Sequence, residues 1–435
     1  MGNVAVVVGA GIGGLAAAIG LRRVGWEVTL VERVPVLGDA GAGISLAANG
    51  IRALDALGVG AAVRAAARGQ YTGGTRTPDG SWLARMDGAA LGRALGTPIV
   101  GIPRATLHRL LRAALPPEIL AVRAEVTGLD RTESGRVRVR TRAVESSAGH
   151  EHGTGGGTAS GGVGTGGGTA SGGAGTGGGA AIGGGPCLDA DLVVAADGVG
   201  SRTRTALFPD HPGPAYSGST VLRALTDGPL DLPTDFEITW GHGAEFGHIA
   251  FTDGRAEWHA VLNSPAGVRY DDPLAEIRRR FAGWHEPVPA LLGATRPEAV
   301  LHHDIHELTT PLPSFVVGRV ALLGDAAHAM TPNLGQGACQ ALEDAVVLAA
   351  ALAKGPDTDK ALAAYDAERR PRSQSVTVAA RKAGRVGQQL SRPGAVALRN
   401  AAMRLAPSGA TLRMILRHAD WTPPRLPGVA AGPIC

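Results

Sequence analysis

The sequence has few cysteines and few aromatic residues. Its 435 residues include three cysteines, Cys187, Cys339 and Cys435, and aromatic residues make up only 4%. Three widely spaced cysteines exclude a disulfide framework and the ligand spacing of a zinc site, and they suit a reducing compartment such as the cytoplasm. A core must therefore consist mainly of alanine, leucine and valine.

Runs of like charge and long apolar runs are also missing. Only three of the 42 basic residues are lysines, and no basic stripe is interleaved with aromatic residues, which excludes the usual pattern of a nucleic-acid-binding protein. The most apolar stretch, residues 341–353, contains Glu343 and Asp344 and falls short of the ~18 apolar residues of a membrane span. No signal-peptide pattern precedes the first apolar run, so we expect a soluble, cytoplasmic protein.

Length and apolar content define the class of protein. With 44% apolar and 18% charged residues, the chain can bury a substantial core, which excludes a wholly disordered protein. Its length is roughly two to three times that of a typical domain of ~150 residues. The sequence therefore predicts two domains.

A glycine-rich repeat interrupts the chain. Residues 153–185 are three tandem copies of an 11-residue unit of the type GTGGGTASGGV and hold 19 of the 66 glycines. So few side chains cannot offset a backbone ordering cost of ~1–2 kcal/mol per residue, which predicts a flexible insert. Strand-like alternation at 136–139 and an apolar run at 192–194 indicate that one fold continues across it.

The strongest motif lies near the beginning of the chain. Gly9, Gly11 and Gly14 form a GxGxxG pattern directly after the apolar run Val4–Val8. In dinucleotide-binding units such glycines permit a tight turn, the approach of a pyrophosphate and close packing of a helix on a strand. A second strand-like run ends in Glu32, which is placed to accept hydrogen bonds from a ribose. These features predict dinucleotide binding.

Two later motifs indicate which dinucleotide binds. The first is ADGVGSRTR at 196–204, and the second is LGDAAH at 323–328, followed by PNLGQG at 332–337. Together with the GxGxxG turn, and in this order, they resemble the FAD-dependent aromatic hydroxylases, the class A flavoprotein monooxygenases of the p-hydroxybenzoate and salicylate hydroxylase type. The resemblance covers most of the chain except the glycine-rich insert. It implies FAD as a tightly bound, non-covalent cofactor and NAD(P)H as a transient co-substrate.

The resemblance also implies a fold and a division of the chain. We expect an α/β protein in which a Rossmann-type FAD-binding domain is joined to an α+β substrate domain with an antiparallel sheet. The FAD-binding domain is expected to be discontinuous, at 1–70, 100–215 and 312–370. The substrate domain is expected at 71–99 and 216–311, and a helical region at 371–435.

The predicted cofactor contacts combine this resemblance with residue chemistry. Asp325 follows an apolar run, where a short carboxylate can accept hydrogen bonds from ribityl hydroxyls. Gly335 and Gly337 have no side chains, so a flat ring can approach N–H groups at the positive end of the next helix. The resemblance places Arg104 against the FAD phosphates, and Arg33 and Val126 at the adenine end. The predicted cofactor-binding residues are Gly9, Gly11, Gly14, Glu32, Arg33, Arg104, Val126, Asp197, Asp325, Gly335 and Gly337.

The chemistry implied by the resemblance is oxygen transfer to a ring. In the family, NAD(P)H reduces FAD, O2 adds to give a C4a-hydroperoxide, and the terminal oxygen is transferred to an activated aromatic ring. Tyr216 and Arg223 match a Tyr-x-Gly-x(4)-Arg stretch of several hydroxylases and are the predicted catalytic residues. His242, His248 and His259 lie on strands expected to wall the substrate cavity, so each is a candidate base or substrate ligand.

Several other histidines and one cysteine are interpreted as structural residues and not as site residues. The histidines within 302–306 lie in a predicted strand, where neighbouring side chains point to opposite faces, so no metal site is expected. His328 is interpreted as local architecture of the second motif, and Cys339 as a small core residue.

Alternatives to a hydroxylase stay open. An FAD-dependent epoxidase or reductase acting on an alkene or isoprenoid is one, and a non-catalytic binding protein similar to GDP-dissociation inhibitors is a more distant one. A flavin-dependent halogenase is disfavoured because the sequence lacks Trp-x-Trp and its lysines occur late. The leading hypothesis is an FAD-dependent monooxygenase that uses NAD(P)H and O2 to hydroxylate an aromatic or electron-rich small molecule.

Overall fold

A computed structural model describes residues 2–35, 42–144, 186–407 and 409–427. Its strands are β1 (Val4–Val8), β2 (Glu27–Val31), β3 (Gly43–Leu46), β4 (Arg68–Gly69), β5 (Gly73–Arg76), β6 (Trp82–Arg85), β7 (Val100–Pro103), β8 (Leu120–Ala121), β9 (Ala124–Arg131), β10 (Val137–Ala143), β11 (Cys187–Ala190), β12 (Leu192–Ala195), β13 (Ala215–Leu225), β14 (Phe236–Trp240), β15 (Ala244–Ala250), β16 (Ala256–Asn263), β17 (Leu301–Glu307), β18 (Val316–Val317) and β19 (Val320–Leu322). Its α-helices are α1 (Ile12–Arg23), α2 (Ala48–Ala56), α3 (Gly60–Ala66), α4 (Gly88–Leu95), α5 (Arg104–Ala113), α6 (Arg202–Leu207), α7 (Pro273–Arg280), α8 (Val288–Gly293), α9 (Asp325–His328), α10 (Gly337–Leu352), α11 (Thr358–Val386), α12 (Pro393–Leu405) and α13 (Ala410–Ala419). The predicted insert at 153–185 lies outside the described residues.

A six-stranded sheet in the order β18-β19-β12-β1-β2-β8 forms the centre of the first domain, and its pairs are parallel except β18 with β19. Parallel strands buried on both faces need continuous apolar sequence, which Val4–Val8 and Leu192–Ala195 supply. The carboxyl ends of parallel strands lie at one edge of a sheet, where α/β proteins bind ligands. Since a predicted motif residue follows each of β1, β2, β12 and β19, the fold gathers these motifs at that edge.

Two layers cover the parallel sheet. Ala5 and Val7 of β1 pack into the main core with α1, α2, α5 and α10. Val6 and Val8 point to the other face and pack with Val139 of a three-stranded sheet, β11-β10-β9. Both faces of the parallel sheet are therefore buried, as its sequence requires.

Helices α1 and α10 pack closely and run in the same direction. A Cβ added at Gly13 would lie 3.3 Å from the Cβ of Ala341, and one added at Gly20 would lie 3.0 Å from the Cβ of Ala349. The later residue of α1 lies beside the later residue of α10, so the two helices are parallel. Their N-termini therefore lie on the same side of the domain. Two partly positive helix ends therefore face the site from neighbouring positions.

A seven-stranded sheet in the order β17-β13-β16-β15-β14-β5-β6 forms the second domain and is antiparallel except for the pair β14 with β5. Alternate residues of a strand point to opposite faces. Leu222 and Trp258 pack with Phe281 and other residues of α7 and α8 on one face. Arg223 and His259, which are paired across β13 and β16, belong to the opposite face.

This opposite face is turned toward the first domain. A small sheet, β3-β7-β4, lies against it. A Cβ added at Gly43 would lie 2.6 Å from the Cβ of Glu257, and one added at Gly101 would lie 2.5 Å from Cγ2 of Ile249. Glycine at both positions therefore allows the backbones of β3 and β7 to approach the second domain closely.

The C-terminal part differs from the sequence prediction. A helical region was expected at 371–435, whereas α11 already begins at Thr358 and is followed by α12 and α13. Pro393 lies at the start of α12, where a proline is well tolerated. Helix α11 continues through Pro371, so the boundary predicted at 370–371 falls inside a helix. Buried Arg369 and Ser373 anchor α11 on both sides of that proline. None of the described helices has both the length and the hydropathy of a membrane span.

We predict that residues 153–185 can be deleted. On either side of the repeat, β10 pairs with β11, and Thr141 Oγ1 donates a hydrogen bond to the Pro186 carbonyl oxygen at 2.7 Å. A shorter loop loses less entropy on closure, so flavin content should be unchanged and the melting temperature equal or slightly higher. A variant with a scrambled repeat of equal length is the control. Aggregation of the deletion variant alone would show that the fold requires the repeat.

Candidate active site

The GxGxxG turn leaves no space for a side chain at two of its glycines. Gly9 has a φ of +99°, and a Cβ there would lie 2.5 Å from the carbonyl oxygen of Ala196. A Cβ at Gly14 would lie 1.8 Å from the Gly9 carbonyl oxygen, so α1 packs on β1 only with glycine at this position. At Gly11, by contrast, no described atom beyond its chain neighbours lies within 4 Å of a Cβ. This open position at the N-terminus of α1 suits a phosphate.

Two polar side chains hold this turn. Glu32 accepts hydrogen bonds from the N–H groups of Ala10, at 2.8 Å, and Val34, at 3.0 Å. It therefore lies beside the glycine turn, and its carboxylate keeps further lone pairs for a ligand. His108 on α5 contacts the Ala10 carbonyl oxygen through Nε2 at 2.7 Å. The sequence analysis missed His108, because no local pattern links α5 to the turn.

Arg33 and Val126 lie along the same edge. Arg33 is exposed and directly follows Glu32, and Val126 is half-buried on β9. The N–H of Ala124, two residues before Val126, donates a hydrogen bond to the Glu32 carbonyl oxygen at 2.9 Å. The structure thus brings both residues near Glu32, and their contacts with a cofactor stay predictions.

Asp197 caps a helix. One of its carboxylate oxygens accepts a hydrogen bond from Ser201 Oγ at 2.6 Å, and the other accepts one from a backbone N–H of α6 at 3.1 Å. Nearby, the buried Arg204 donates a hydrogen bond to the Ala326 carbonyl oxygen at 3.1 Å. Arg204, which was not among the predicted site residues, therefore joins the motif at 196–204 to the motif at 323–328.

The second motif exposes a single carboxylate within a buried turn. Gly324 has a φ of +62°, and its N–H donates a hydrogen bond to Asp344 Oδ2 at 2.9 Å. Asp325 is exposed, whereas Gly324 and Ala326 on either side of it are buried. The turn therefore presents the Asp325 carboxylate to a ligand at the carboxyl edge of the parallel sheet.

The beginning of α10 is open to a flat ligand. Gly335 has a φ of +61°, and no described atom lies within 4 Å of a Cβ at Gly335 or Gly337 beyond chain neighbours and, for Gly337, the backbone of its own helix. Between them, the side chain of Gln336 is turned inward, where Asn49 Nδ2 donates a hydrogen bond to its Oε1 at 2.8 Å. Only backbone is therefore presented at the positive end of this helix.

A buried ionic network lies behind these segments. Arg369 of α11 contacts Glu343, and its Nε donates a hydrogen bond to Asp344 Oδ1 at 2.7 Å; all three side chains are fully buried. Asp344 Oδ2 lies 2.6 Å from Nε2 of His328. Burial alone raises the pKa of Asp344, but the positive charges of His328 and Arg369 outweigh it and lower that pKa to about 2. The network joins α9, α10 and α11 and thereby fixes the turn that presents Asp325.

Three predicted site residues from distant parts of the chain are coupled electrostatically. Burial lowers the pKa of Arg104, the positive charge of Arg223 lowers it further, and Asp325 opposes both effects. Arg104 is nevertheless exposed to solvent, and we infer that it lines a cleft between the two domains. Arg223 Nε is buried without a hydrogen-bond partner, and no ion pair of Arg223 occurs among the described residues. An arginine without a counter-charge beside a second arginine indicates a site for an anionic group.

The structure places the three candidate histidines at different positions in the second domain. His259 lies beside Arg223 on the face of the second sheet that is turned toward the first domain. His248 pairs with Trp258 and points to the opposite face, where burial lowers its pKa to about 4. His242 is exposed in the turn between β14 and β15. Only His259 of these three therefore lies at the cleft.

Tyr216 is not brought together with Arg223. Its hydroxyl donates a hydrogen bond to the Ser264 carbonyl oxygen at 2.6 Å, and its ring packs against His306. An irregularity in the pairing of β13 with β17 falls between Tyr216 and Thr220 and interrupts the alternation along β13. In the parts of the chain that the structure describes, no contact joins the two side chains, and a catalytic role for Tyr216 stays a prediction.

A family model described as "FAD binding domain" matches residues 2–151 and 181–380. The chain belongs to this FAD-binding family. The aurachin C monooxygenase/isomerase of Stigmatella aurantiaca is 33% identical over 389 residues, which cover 89% of this chain and 90% of that protein. The 3-hydroxybenzoate 6-hydroxylase 1 of Aquipseudomonas alcaligenes is 31% identical over 417 residues, which cover 93% and 94%. Klebsiella pneumoniae HpxO, solved in complex with FAD and uric acid, superposes with a TM-score of 0.80 and 26% identity over 96% of each chain.

These similarities confirm the predicted fold class, FAD as the cofactor, and an enzyme of the FAD-dependent monooxygenase class. The residues present fit FAD. The open position at Gly11 suits its pyrophosphate, the exposed Asp325 suits its ribityl hydroxyls, and the bare backbone at Gly335 and Gly337 suits its ring system. The alternative of a non-catalytic binding protein is disfavoured, because the relatives named above are oxygenases.

Proposed function

We propose that this enzyme uses NAD(P)H and O2 to hydroxylate an aromatic or similarly electron-rich small molecule that carries an anionic or ionisable group. The observation that supports this proposal is the buried Nε of Arg223, which has no hydrogen-bond partner and belongs to a guanidinium whose charge lowers the pKa of Arg104. Arg223 itself is half-buried, but its buried Nε–H group has no protein acceptor, which is costly unless a ligand supplies one. The relatives support it too, since one is named for a hydroxybenzoate and a solved structure contains uric acid.

The protein residues have separate tasks in this proposal. When bound, FAD supplies the redox chemistry, which is acceptance of a hydride from NAD(P)H and activation of O2. Gly11, Asp325 and the beginning of α10 hold the cofactor. The domain interface excludes water from the cleft, and Arg223 orients the substrate through its anionic oxygen.

An alkene or isoprenoid substrate is the less supported alternative. An uncharged hydrocarbon would leave Arg223 Nε without a partner. A cytoplasmic location also belongs to the proposal, because Cys187 is exposed as a free thiol and Cys339 is a buried one, which suits a reducing compartment.

Replacement of Arg223 by alanine is expected to impair turnover far more than FAD binding. Loss of a charge-assisted hydrogen bond of ~1.5–3 kcal/mol corresponds to a fall in kcat/KM of roughly 10- to 100-fold. Substrate-dependent NAD(P)H oxidation and flavin content measure the two effects. The control is Arg296→Ala, because Arg296 forms an exposed ion pair with Asp227 on the same domain. Unchanged kcat/KM in Arg223→Ala would remove Arg223 from the substrate site.

A further inference from the structure

The C-terminal helices carry charge of one sign only. Residues 369–419 contain eleven basic residues and no aspartate or glutamate. The arginines nearest the core pair with carboxylates of other segments or of the preceding turn, as Arg381 does with Glu307. Six basic residues are exposed and form no ion pair with a described residue: Lys382, Arg385, Arg392, Arg404, Arg413 and Arg417. A surface with so one-sided a charge attracts an anionic partner.

The most exposed large apolar side chains lie in the same part of the chain. Leu405 and Leu398 of α12 are 84% and 73% exposed. Val386 at the end of α11 and Met414 of α13 follow with 57% and 55%. These are the four highest values for large apolar side chains among the described residues. Single exposed apolar residues are ordinary, but their concentration beside unpaired basic residues indicates a surface that binds a partner.

Helix α12 turns its charge inward and its leucines outward. On its inner side Val396 and Arg399 are buried. Arg399 Nη1 donates a hydrogen bond to the Gly387 carbonyl oxygen at 2.8 Å, and its Cζ lies 5.2 Å from the centre of the Trp240 ring. Arg399 therefore attaches α12 to the end of α11. A surface helix of a water-soluble protein has the opposite pattern, so the outward leucines call for an apolar environment.

The outer side of α12 presents a continuous apolar stripe. Residues three or four positions apart share one side of a helix. The exposed residues that follow this spacing are Gly394, Leu398, Ala401, Ala402 and Leu405, and we call them the α12 face. Exposed Arg392 directly precedes the helix, and exposed Arg404 lies in its last turn. Basic side chains thus stand at both ends of an apolar stripe.

One acidic residue lies close to this surface. Hydrogen bonds from Thr77 and Ser81 lower the pKa of Asp79 in the turn between β5 and β6, and the positive charge of Arg404 lowers it further. A single carboxylate near Arg404 leaves the positive charge of the surface in excess.

We propose that the α12 face binds the surface of a membrane that contains anionic phospholipids. Leu398 and Leu405 enter the border between headgroups and acyl chains, and the exposed basic residues contact the lipid phosphates. With 13 residues, α12 is too short to cross a hydrocarbon core of ~30 Å, so it lies in the plane of the interface. The inference goes beyond the proposed function and does not depend on it, because binding to a membrane requires no turnover.

A second copy of the chain fits this face less well. In a twofold dimer the same surface patch lies on both subunits. Pairing of α12 with α12 would bring Arg392 and Arg404 close to the same residues of the other copy, and residues 369–419 supply no carboxylate to offset them. Lipid phosphates supply the missing negative charge, and acyl chains supply the apolar environment for the leucines.

Co-sedimentation of the full-length, FAD-loaded enzyme with lipid vesicles tests the inference. The probes are vesicles of phosphatidylcholine with and without phosphatidylglycerol. We expect binding to the vesicles that contain phosphatidylglycerol, binding at least ~10-fold weaker without it, and a further loss as the salt concentration rises. Equal binding to both kinds of vesicle, or binding to neither, would overturn the proposal.

Substitutions of the leucines test the α12 face itself. Leu398→Gln combined with Leu405→Gln should weaken binding about 100-fold, since burial of each leucine corresponds to roughly 10-fold or more. Gly394→Leu adds a leucine where no described atom beyond chain neighbours and its own helix backbone lies within 4 Å of a Cβ, and it should strengthen binding about 10-fold. Such a gain cannot result from misfolding. Val317→Gln, at an exposed valine of the first domain, is the matched control and should bind as the wild type does.

Substitutions of the arginines test the electrostatic part. Arg392→Gln combined with Arg404→Gln should weaken binding to phosphatidylglycerol vesicles roughly 30-fold, whereas Arg279→Gln, at an arginine paired with Glu276, should have little effect. Flavin content and melting temperature should be unchanged in every variant. Unchanged binding in both double variants would overturn the role of the α12 face. A wild-type dimer that dissociates when the leucines are replaced, without binding to vesicles, would overturn the proposal and assign the face to a second copy.

Discussion

Replacement of Gly11 by leucine is expected to abolish FAD retention and to leave the fold intact. Beyond its chain neighbours, no described atom lies within 4 Å of a Cβ at this position, so the new side chain meets little of the protein itself. It fills the space assigned to the FAD pyrophosphate. Overpacking costs ~1–3 kcal/mol, and the upper value corresponds to about 100-fold weaker binding. Flavin absorbance of the purified protein and titration with FAD measure the effect.

Gly394→Leu is the matched control. Gly394 lies in α12, which contacts β6 of the second sheet, and no described atom beyond its chain neighbours and its own helix backbone lies within 4 Å of a Cβ there. The control should retain its flavin and its melting temperature. Full flavin occupancy in Gly11→Leu would contradict the assignment of this turn to the pyrophosphate.

Replacement of Arg369 by methionine is expected to destabilise the protein by up to about 3–5 kcal/mol, because it removes the only fully buried cation among the described partners of Glu343 and Asp344 and leaves them only the partly exposed Arg372 and the imidazole of His328. The side chains of Arg369, Glu343 and Asp344 are fully buried. The free energy of unfolding, from denaturant titration at neutral pH, measures the loss. The control is Arg370→Met, because the neighbouring Arg370 forms a partly exposed ion pair with Asp366 that is worth ~0.3–0.5 kcal/mol.

The loss of stability in the Arg369→Met variant should depend on pH. In the folded wild-type protein the pKa of Asp344 is about 2, below the value of ~3.9 for an unfolded aspartate. Its ionisation therefore stabilises the wild-type protein above ~3.9, and this contribution is lost as the pH falls toward 2. Without Arg369 the pKa of Asp344 rises, so the difference between the two proteins should shrink in acid. A difference that stays constant across this range would contradict the ionic origin of the effect.

The cofactor half of the site could be predicted from the sequence because its determinants are local. Gly14 is required by a contact within one strand-turn-helix unit and Gly9 by its contact with Ala196, and each carboxylate predicted to bind the cofactor follows a recognisable apolar strand. The continuous apolar run Val4–Val8 also identified β1 with the bounds that the structure shows. Short-range steric rules therefore carried these predictions.

The arrangement of the candidate substrate-site residues on the second sheet depends on strand register, which a single sequence does not specify. His259 and Glu257 share a face because they are two residues apart, but Glu245 joins them only through the pairing of β15 with β16. His248 and His259 were equivalent candidates in the sequence, and the register placed them on opposite faces. Arg369 was missed for a related reason, because an arginine in a polar helix is usually exposed, whereas its partners on α10 bury it here.

Oxygen transfer to an aromatic ring is tested most directly with isotopically labelled O2. The FAD-loaded protein is supplied with NADH or NADPH and with a panel of phenols, hydroxybenzoates, purines and quinolones, and the products are examined by mass spectrometry. We predict that at least one compound accelerates NAD(P)H oxidation and gains a single labelled oxygen atom. If none of these aromatic compounds yields a product with labelled oxygen, the result would contradict an aromatic hydroxylase.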